Sequence, residues 1–483
     1  MEKKEILYNA FKSKDARLDG KFFVGVSSTG IYCRPVCHAK MPKPENCTFF
    51  KTAAEAEKAG YRPCLVCRPE LAPGNSPDSR INIAARAAAY IEENCSGSMS
   101  VPEIAEVLGY SERQLRRIFS DEFNVSPVEY IQTCRLLLAK KLLTETELTV
   151  TDAAMAAGFG SIRQFNDVFM KKYKMTPAEL KKYKRKIKTC NMNIKIGIGY
   201  RPPYRWDEML EFLGQRAVEG VEAVRGGMYL RTLAVNTADG RRLSGWISVE
   251  NIPEKNLLQL TVSDSLLPAL SQVISKVRTV FDTDCDTETV YEAMSELNRE
   301  CCREVFKKGL RIPGGADEFE ICCRAVIGQQ ITVKAARTLA GRFAAAFGNR
   351  ISTPFEELTL LFPAAEDVCK LKDTAKETMG QLGIIAARGE CIKTIAGLCA
   401  DKSLDRHMDS DEAVSLLTGI RGIGPWTAGY IAMRAVGDTD VFLQTDAGIK
   451  AALKNMQESR ILSAVEMCRP WRSYAMIGLW ESL

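Results

Sequence analysis

No run of about 18 apolar residues occurs in the 483-residue chain, so the sequence offers no segment able to cross a bilayer as a helix. The start, Met1-Glu2-Lys3-Lys4-Glu5, lacks the apolar stretch of a secretory signal. Both absences point to a cytoplasmic protein without a membrane partner. A disulfide framework is missing too: seventeen cysteines is an odd number, and adjacent pairs such as Cys301-Cys302 and Cys322-Cys323 suit core filling in a large unsecreted chain. Excess charge of either sign is scarce, the net being +6. Its distribution is uneven, with about 31 Lys and Arg against 22 Asp and Glu in residues 1–190 and a remainder near −3. A basic front suggests neutralisation of nucleic-acid phosphates, with solvated surface charge as the plain alternative. The length allows about three domains, and 46% apolar with 26% charged residues is ordinary globular composition.

What stands out is the set Cys33, Cys37, Cys64 and Cys67, a C-x3-C pair followed by a C-x2-C pair. Two close pairs of thiolates can close a tetrahedron around one zinc ion, either as a structural ribbon or as a reactive centre. Between them Thr52-Ala53-Ala54-Glu55 predicts a capped helix ending at Gly60, and Pro73-Gly74-Asn75-Ser76-Pro77 a linker. The words Phe22-Phe23-Val24-Gly25-Val26, Thr29-Gly30-Ile31-Tyr32-Cys33-Arg34-Pro35-Val36-Cys37 and Gly60-Tyr61-Arg62-Pro63-Cys64-Leu65-Val66-Cys67 resemble the amino-terminal domain of the Ada regulators. That resemblance implies a zinc domain over 1–75 that takes a methyl group from a DNA phosphotriester. Cys33 is then the acceptor and a zinc ligand, with Cys37, Cys64 and Cys67 completing the site. His38 reads as surface, since four sulfurs already fill the tetrahedron.

Residues 79–185 are helical and repeat internally. Glu103-Ile104-Ala105 with Gly109-Tyr110 is echoed by Asp152-Ala153-Ala154 with Gly158-Phe159, and Ser111-x-x-Gln114 by Ser161-x-x-Gln164. Each unit predicts a short helix, a glycine turn and a capped second helix, with a helix over 128–143 joining the two. The arrangement resembles the AraC-type DNA-binding domain. Arg113, Arg116 and Arg117 in the first unit, and Arg163, Gln164 and Asn166 in the second, are the candidate groove contacts, whereas Phe119 and Phe169 read as core. The basic run 181–186 reads as a linker, lying along phosphates or solvated.

Strand-like runs at 228–234, 243–249 and 256–262, with helical patterns at 206–216 and 267–281, predict an α+β unit over 192–281. No residue in it reads as catalytic. Residues 282–483 are helical and contain Leu417-Thr418-Gly419-Ile420-Arg421-Gly422-Ile423-Gly424-Pro425-Trp426, a glycine hairpin that lets Gly422 and Gly424 approach a phosphate, followed by Asp440-Val441-Phe442-Leu443-Gln444-Thr445-Asp446. Together with Tyr200 to Trp206, Arg311-Ile312-Pro313-Gly314, Ala325 to Gln330 and Pro470 to Ala475, these resemble the AlkA glycosylases of the helix-hairpin-helix superfamily. The front unit is then their TBP-like domain. The resemblance implies hydrolysis of the N-glycosidic bond of alkylated purines such as 3-methyladenine, with Asp446 stabilising positive charge on the sugar. A helix-capping role is its bland alternative. Trp426, Tyr430 and Trp480 map to the aromatic pocket for the flipped base. Trp426 stands where lyase members carry lysine, so simple base removal is implied. Gln330 takes the place of a leucine wedge, and Thr445 and Ala447 replace an Asp and a Tyr. The Pro-Cys-His-Arg acceptor motif of the Ada carboxy-terminal domain is absent, implying no O6-methylguanine repair.

The expectation is therefore a mainly α, multidomain chain with small α+β units: a four-cysteine zinc domain, two helix-turn-helix units, a TBP-like domain and a helix-hairpin-helix core. It should bind alkylated and promoter double-stranded DNA, engage RNA polymerase and act as a monomer. The rival is a transcription regulator whose glycosylase-like part is an inert DNA clamp.

Overall fold

The computed structural model describes residues 3–482 apart from 15–17, 19–21, 38, 51–52, 65–66, 68, 70–79, 124, 183–193, 238–240, 372–373 and 455–456. The readings of His38, the Thr52 cap, the 73–77 linker and most of the 181–186 run fall outside the described residues.

Apolar and aromatic runs near the amino terminus make a four-stranded sheet in the order β3-β1-β2-β4. Strand β1 (Phe23–Val26) pairs antiparallel with β2 (Ile31–Cys33) and β3 (Cys47–Phe50), and β4 (Arg62–Pro63) runs parallel to β2 at the edge, where proline is tolerated. Helix α1 (Lys3–Ser13) precedes the sheet, and α2 (Ala53–Lys58) is followed by Gly60 at φ +89°.

The repeat folds as two helix-turn-helix units. After α3 (Arg80–Asn94), α4 (Val101–Val107) and α5 (Glu112–Phe123) form the first, α6 (Pro127–Glu145) is the connector, and α7 (Val150–Ala156) and α8 (Ile162–Tyr173) form the second, closed by α9 (Pro177–Lys182). The turns pass through Gly109 and Gly158 at φ +75° and +89°. Ser111 and Ser161 accept the backbone N–H of Gln114 and Gln164 at 3.3 and 3.2 Å, while Ser126 and Glu129 make a full capping box at the start of α6. Phe119 and Phe169 are fully buried. The linker reading of the basic run is corrected at its start: Lys181 and Lys182 end α9, and Lys181 donates to the Leu148 carbonyl, which anchors it to the domain.

The front domain is a five-stranded antiparallel sheet, β5 (Ile194–Gly199), β9 (Leu257–Val262), β8 (Arg242–Ile252), β7 (Met228–Asn236) and β6 (Glu222–Arg225) in spatial order, with α10 (Trp206–Arg216) and α11 (Leu270–Val280). The predicted strands are there, the first two lengthened and the third begun one residue later, and two edge strands join them. Helices then follow: α12 (Thr287–Ala293), α13 (Ser295–Glu300), α14 (Glu318–Ile327), α15 (Val333–Phe347), α16 (Ala365–Cys369), α17 (Thr374–Gln381), α18 (Ala386–Ala400), α19 (Ser410–Thr418), α20 (Pro425–Ile431), α21 (Ala447–Ala452), α22 (Glu458–Met467) and α23 (Arg472–Glu481). None of the described helices is long and apolar enough to cross a membrane. All the described cysteines are free thiols, most of them buried.

These units share cores. Phe165 and Phe169 of α8 lie in one apolar cluster with Ile194 of β5 and Val273 of α11, and Ala10 and Phe11 of α1 lie in another with Val290 and Ala293 of α12. A polar seam joins the end of α3 to the glycosylase-like half. The Ser96 hydroxyl donates to Ser271 at 2.7 Å, and Ser271 in turn donates to the Glu93 carbonyl at 2.6 Å. Gln272 donates to Asn94 at 2.5 Å, and the Glu93 carboxylate pairs with His407 at 2.7 Å and Arg406 at 3.4 Å.

Burial works against the Glu93 charge, but the His407 hydrogen bond and the Arg406 charge prevail and hold its carboxyl at about 2, below the ordinary 4.5. A depressed carboxyl contributes stability that is complete above about pH 4.5 and disappears as pH falls toward 2. Glu93→Gln should therefore lower stability at pH 7 by on the order of 3 kcal/mol, and the gap should narrow below pH 4.5. Urea melts of both proteins between pH 7 and 3 measure this; a gap independent of pH would mean that the seam does not depend on the charge.

Candidate functional site

Two backbone bonds bring the cysteine pairs together before any side chain is considered. Cys33 ends β2, and Cys64 follows β4 with its N–H on the Tyr32 carbonyl at 3.0 Å. A turn in which the Cys37 N–H reaches the Arg34 carbonyl at 3.1 Å folds the first pair, and the Arg34 N–H donates to the Cys67 sulfur at 3.3 Å. All four ligand sulfurs lie within 4.8 Å of one another and are buried. Zinc bonded to thiolates at about 2.3 Å needs its sulfurs roughly 3.8 Å apart, so the donor set fits. Thiols this close share protons unevenly: Cys33 is pushed up, chiefly by its hydrogen bond to Cys37, and Cys37 is drawn down to about 2 by the same bond. A divalent cation removes that conflict by holding every sulfur as thiolate.

In the second site, Asp446 sits at the N-cap of α21, and its Oδ1 accepts the Ile449 N–H at 3.0 Å. The bland capping role is thus real, and it is not the whole arrangement. The indole N–H of Trp480 donates to Oδ1 at 2.9 Å and that of Trp426 to Oδ2 at 3.1 Å. Trp426 stacks on Tyr430 with centroids 5.4 Å apart and planes 7° from parallel, and Trp480 lies 6.4 Å from Tyr430. The three aromatics and Asp446 line one cavity of about 460 Å³. A carboxylate has about four acceptor positions; among the described residues these bonds use two on Oδ1 and one on Oδ2.

The hairpin between α19 and α20 presents Gly422 and Gly424 at the surface, Gly422 at φ +99° where a side chain would be strained. Gln330 is exposed, at φ +55°, just beyond α14. In the helix-turn-helix units Arg113, Arg116, Arg117, Arg163, Gln164 and Asn166 are all exposed on α5 and α8, Arg116 in an ion pair with Glu112 at 2.6 Å.

Several residues around the cavity escaped the sequence reading. Gln329 ties the α14 end to the hairpin, donating to the Gly422 carbonyl at 2.9 Å and to Thr427 at 3.1 Å. Gly448 packs so closely that an added Cβ would lie 3.0 Å from both Asp446 Oδ1 and Trp480. Arg434, on a π-helical turn at Ala432–Val436, donates to the Tyr430 oxygen at 2.7 Å. Burial would raise the Tyr430 phenol, yet Arg434, Arg216 and Arg324 together draw it down. Arg324 is held by Glu222 at 3.1 Å and Glu320 at 2.8 Å, which Arg231 also bridges, so the front domain helps build the cavity wall. The available signal was Arg216 and Arg324 on otherwise apolar helix faces.

The family described as Metal binding domain of Ada matches residues 6–70, Helix-turn-helix domain matches 104–183, and AlkA N-terminal domain matches 195–317. Four cysteine ligands in a matched zinc-binding domain make zinc the metal. The fold and its sites thus define a chain that joins a transcription regulator's front to a base-excision glycosylase's back. A probable bifunctional transcriptional activator/DNA repair enzyme AlkA of Mycobacterium tuberculosis is 35% identical over 493 residues, covering 99% of this chain and 96% of the relative. DNA-3-methyladenine glycosylase 2 of Escherichia coli is 32% identical over 59% of this chain and 95% of its own length. The bifunctional transcriptional activator/DNA repair enzyme AdaA of Bacillus subtilis is 32% identical over 38% of this chain and 86% of its own. The chain belongs to the family of AlkA-type bifunctional transcriptional activator/DNA repair enzymes.

Proposed function

We propose that this protein senses alkylated double-stranded DNA through its zinc thiolates, activates transcription through its helix-turn-helix pair, and excises alkylated purines such as 3-methyladenine. The observation that carries the enzymatic part is the Asp446 carboxylate, aimed by two indoles into an aromatic cavity large enough for a base. A flipped base lies against the Trp426–Tyr430 stack, whose faces attract a cationic ring. As the C1′–N bond breaks, the bonding pair leaves with the base and positive charge builds on the sugar beside the Asp446 carboxylate; water then adds to C1′ and releases its proton to solvent. The inert-clamp alternative gives no reason for two tryptophans to converge on one carboxylate.

For the sensor, zinc supplies neutral-pH thiolates. The Cys33 sulfur attacks the phosphotriester methyl carbon, an S–C bond replaces the C–O bond, and the freed oxygen keeps the electron pair as a phosphodiester anion. Backbone N–H groups of Ala39 and Arg34 donate to Cys37 and Cys67 and blunt those sulfurs. The choice of Cys33 as the nucleophile rests on the resemblance of its surrounding residues to the Ada domain. Methylation lowers the cluster charge from −2 to −1 and so weakens its repulsion of DNA. Incubating the pure protein with methylated duplex and following protein mass and free bases tests both halves together; an unchanged mass and no released base would overturn the reading.

Arg116 and Arg163 are assigned to successive major grooves, where losing one specific contact costs about 1–3 kcal/mol. The exposed Glu112 pair is weak enough for Arg116 to exchange for DNA. Arg116→Ala and Arg163→Ala should each weaken promoter binding about 5- to 100-fold, and Lys58→Ala far less. Mobility shifts at one salt concentration decide this; equal losses would leave only nonspecific electrostatics.

A further inference from the structure

Arg216, Arg324 and Arg337 line the base cavity, and Arg434 stands behind it on Tyr430; Arg337 is exposed to solvent, whereas Arg216 is half-buried. Arg324 is neutralised by Glu222 and Glu320, and Arg434 spends its fork on the Pro313 and Gly314 carbonyls and on Tyr430. Arg216, the last residue of α10, makes no ion pair among the described residues, and Glu481 acts on it only from beyond pairing distance. Its guanidinium carbon lies 3.7 Å from the centroid of the Phe212 ring, and it donates a single hydrogen bond, to the Phe212 carbonyl at 3.2 Å. Arg434 sits over the same ring at 5.1 Å, which fixes the stack from the glycosylase side. The result is a permanently charged, planar donor held rigidly at the cavity wall with most of its N–H groups unspent.

This deepens the glycosylase reading and rests on it. A 6-oxopurine offers O6, and where N7 is unmodified also N7, as acceptors in the plane that an arginine fork matches; a 6-aminopurine offers an N–H2 donor at that edge. A cationic adenine adduct would meet Arg216 donor to donor at that edge. We propose that Arg216 is a specificity-determining residue that biases the cavity toward 6-oxopurines, hypoxanthine and alkylated guanine, relative to 3-methyladenine.

The test compares single-turnover release of hypoxanthine and of 3-methyladenine from duplex DNA by the full-length protein and by Arg216→Met, which keeps a comparable stem over Phe212 without donors or charge. Hypoxanthine release should fall at least about tenfold more than 3-methyladenine release. Arg216→Lys, which keeps the charge without the fork, should also lose hypoxanthine release, and it supplies the same ratio if the methionine variant is unfolded. A ratio unchanged within about threefold, or an equal fall for both bases, would return Arg216 to a packing role. A wild type that releases neither base would instead remove the glycosylase reading, and the proposal with it.

Discussion

Asp446→Asn is expected to slow release of 3-methyladenine by about 10²- to 10³-fold while leaving promoter binding and methylation of Cys33 unchanged. The carboxylate has two tasks that the substitution separates. As N-cap of α21 it contributes about 0.5–2 kcal/mol, most of which asparagine retains because its oxygen can still accept the Ile449 N–H. As the acceptor of two indoles it cannot be matched: with the oxygen at the Oδ1 position, the amide N–H2 faces the Trp426 N–H, donor against donor. Part of the loss could therefore come from a displaced Trp426 rather than from the missing charge. Trp426→Phe removes the clash but keeps an aromatic face. If the double variant stays as slow as Asp446→Asn, the charge is what matters; recovery to near the Trp426→Phe rate would make Asp446 a positioning residue. A single variant within about threefold of wild type would leave it a helix cap only.

The other large effect is all or none. Cys33→Ser should take up no methyl group from phosphotriester DNA, where wild type gains one methyl mass per chain, and methylated DNA should no longer raise its promoter affinity. Serine hydroxyls are not acidified into zinc ligands as thiols are, so metal content must be measured alongside. Cys64→Ser removes a different ligand of the same cluster and serves as the comparison. If Cys33→Ser still gained a methyl group, the nucleophile would lie elsewhere in the tetrad. Stripping zinc with a chelator should stop transfer in the wild type as well, because the sulfurs then compete for protons.

Sequence spacing carried the local chemistry further than it carried the assembly. The cysteine pairs, the doubled helix-turn-helix units and the glycine hairpin are short-range patterns, so their residues met in space as their spacing implies. Trp426, Tyr430, Asp446 and Trp480 were gathered by resemblance, since no period links positions so far apart along three helices. Arg216 and Arg324 could not be gathered that way: each is a lone arginine on the apolar face of its own helix, and only the packing of α10 against α15 and the ion pairs between the front domain and α14 bring them to one cavity. Asp446 caps α21, and that does not exclude the catalytic reading, because one carboxylate has enough lone pairs for both. Strand β6 was hidden by its four residues and edge position, and the π-helical turn that delivers Arg434 leaves no composition signal.

The buried seam of Ser96, Ser271, Asn94, Gln272, Glu93 and His407 fastens the promoter-reading half to the base-cavity half. Whatever factor a lesion-bearing duplex imposes on promoter affinity, promoter DNA must impose on lesion affinity, since both belong to one thermodynamic cycle. If the seam transmits such a factor, loosening it should bring the factor toward unity from both directions at once, since a single free energy carries both.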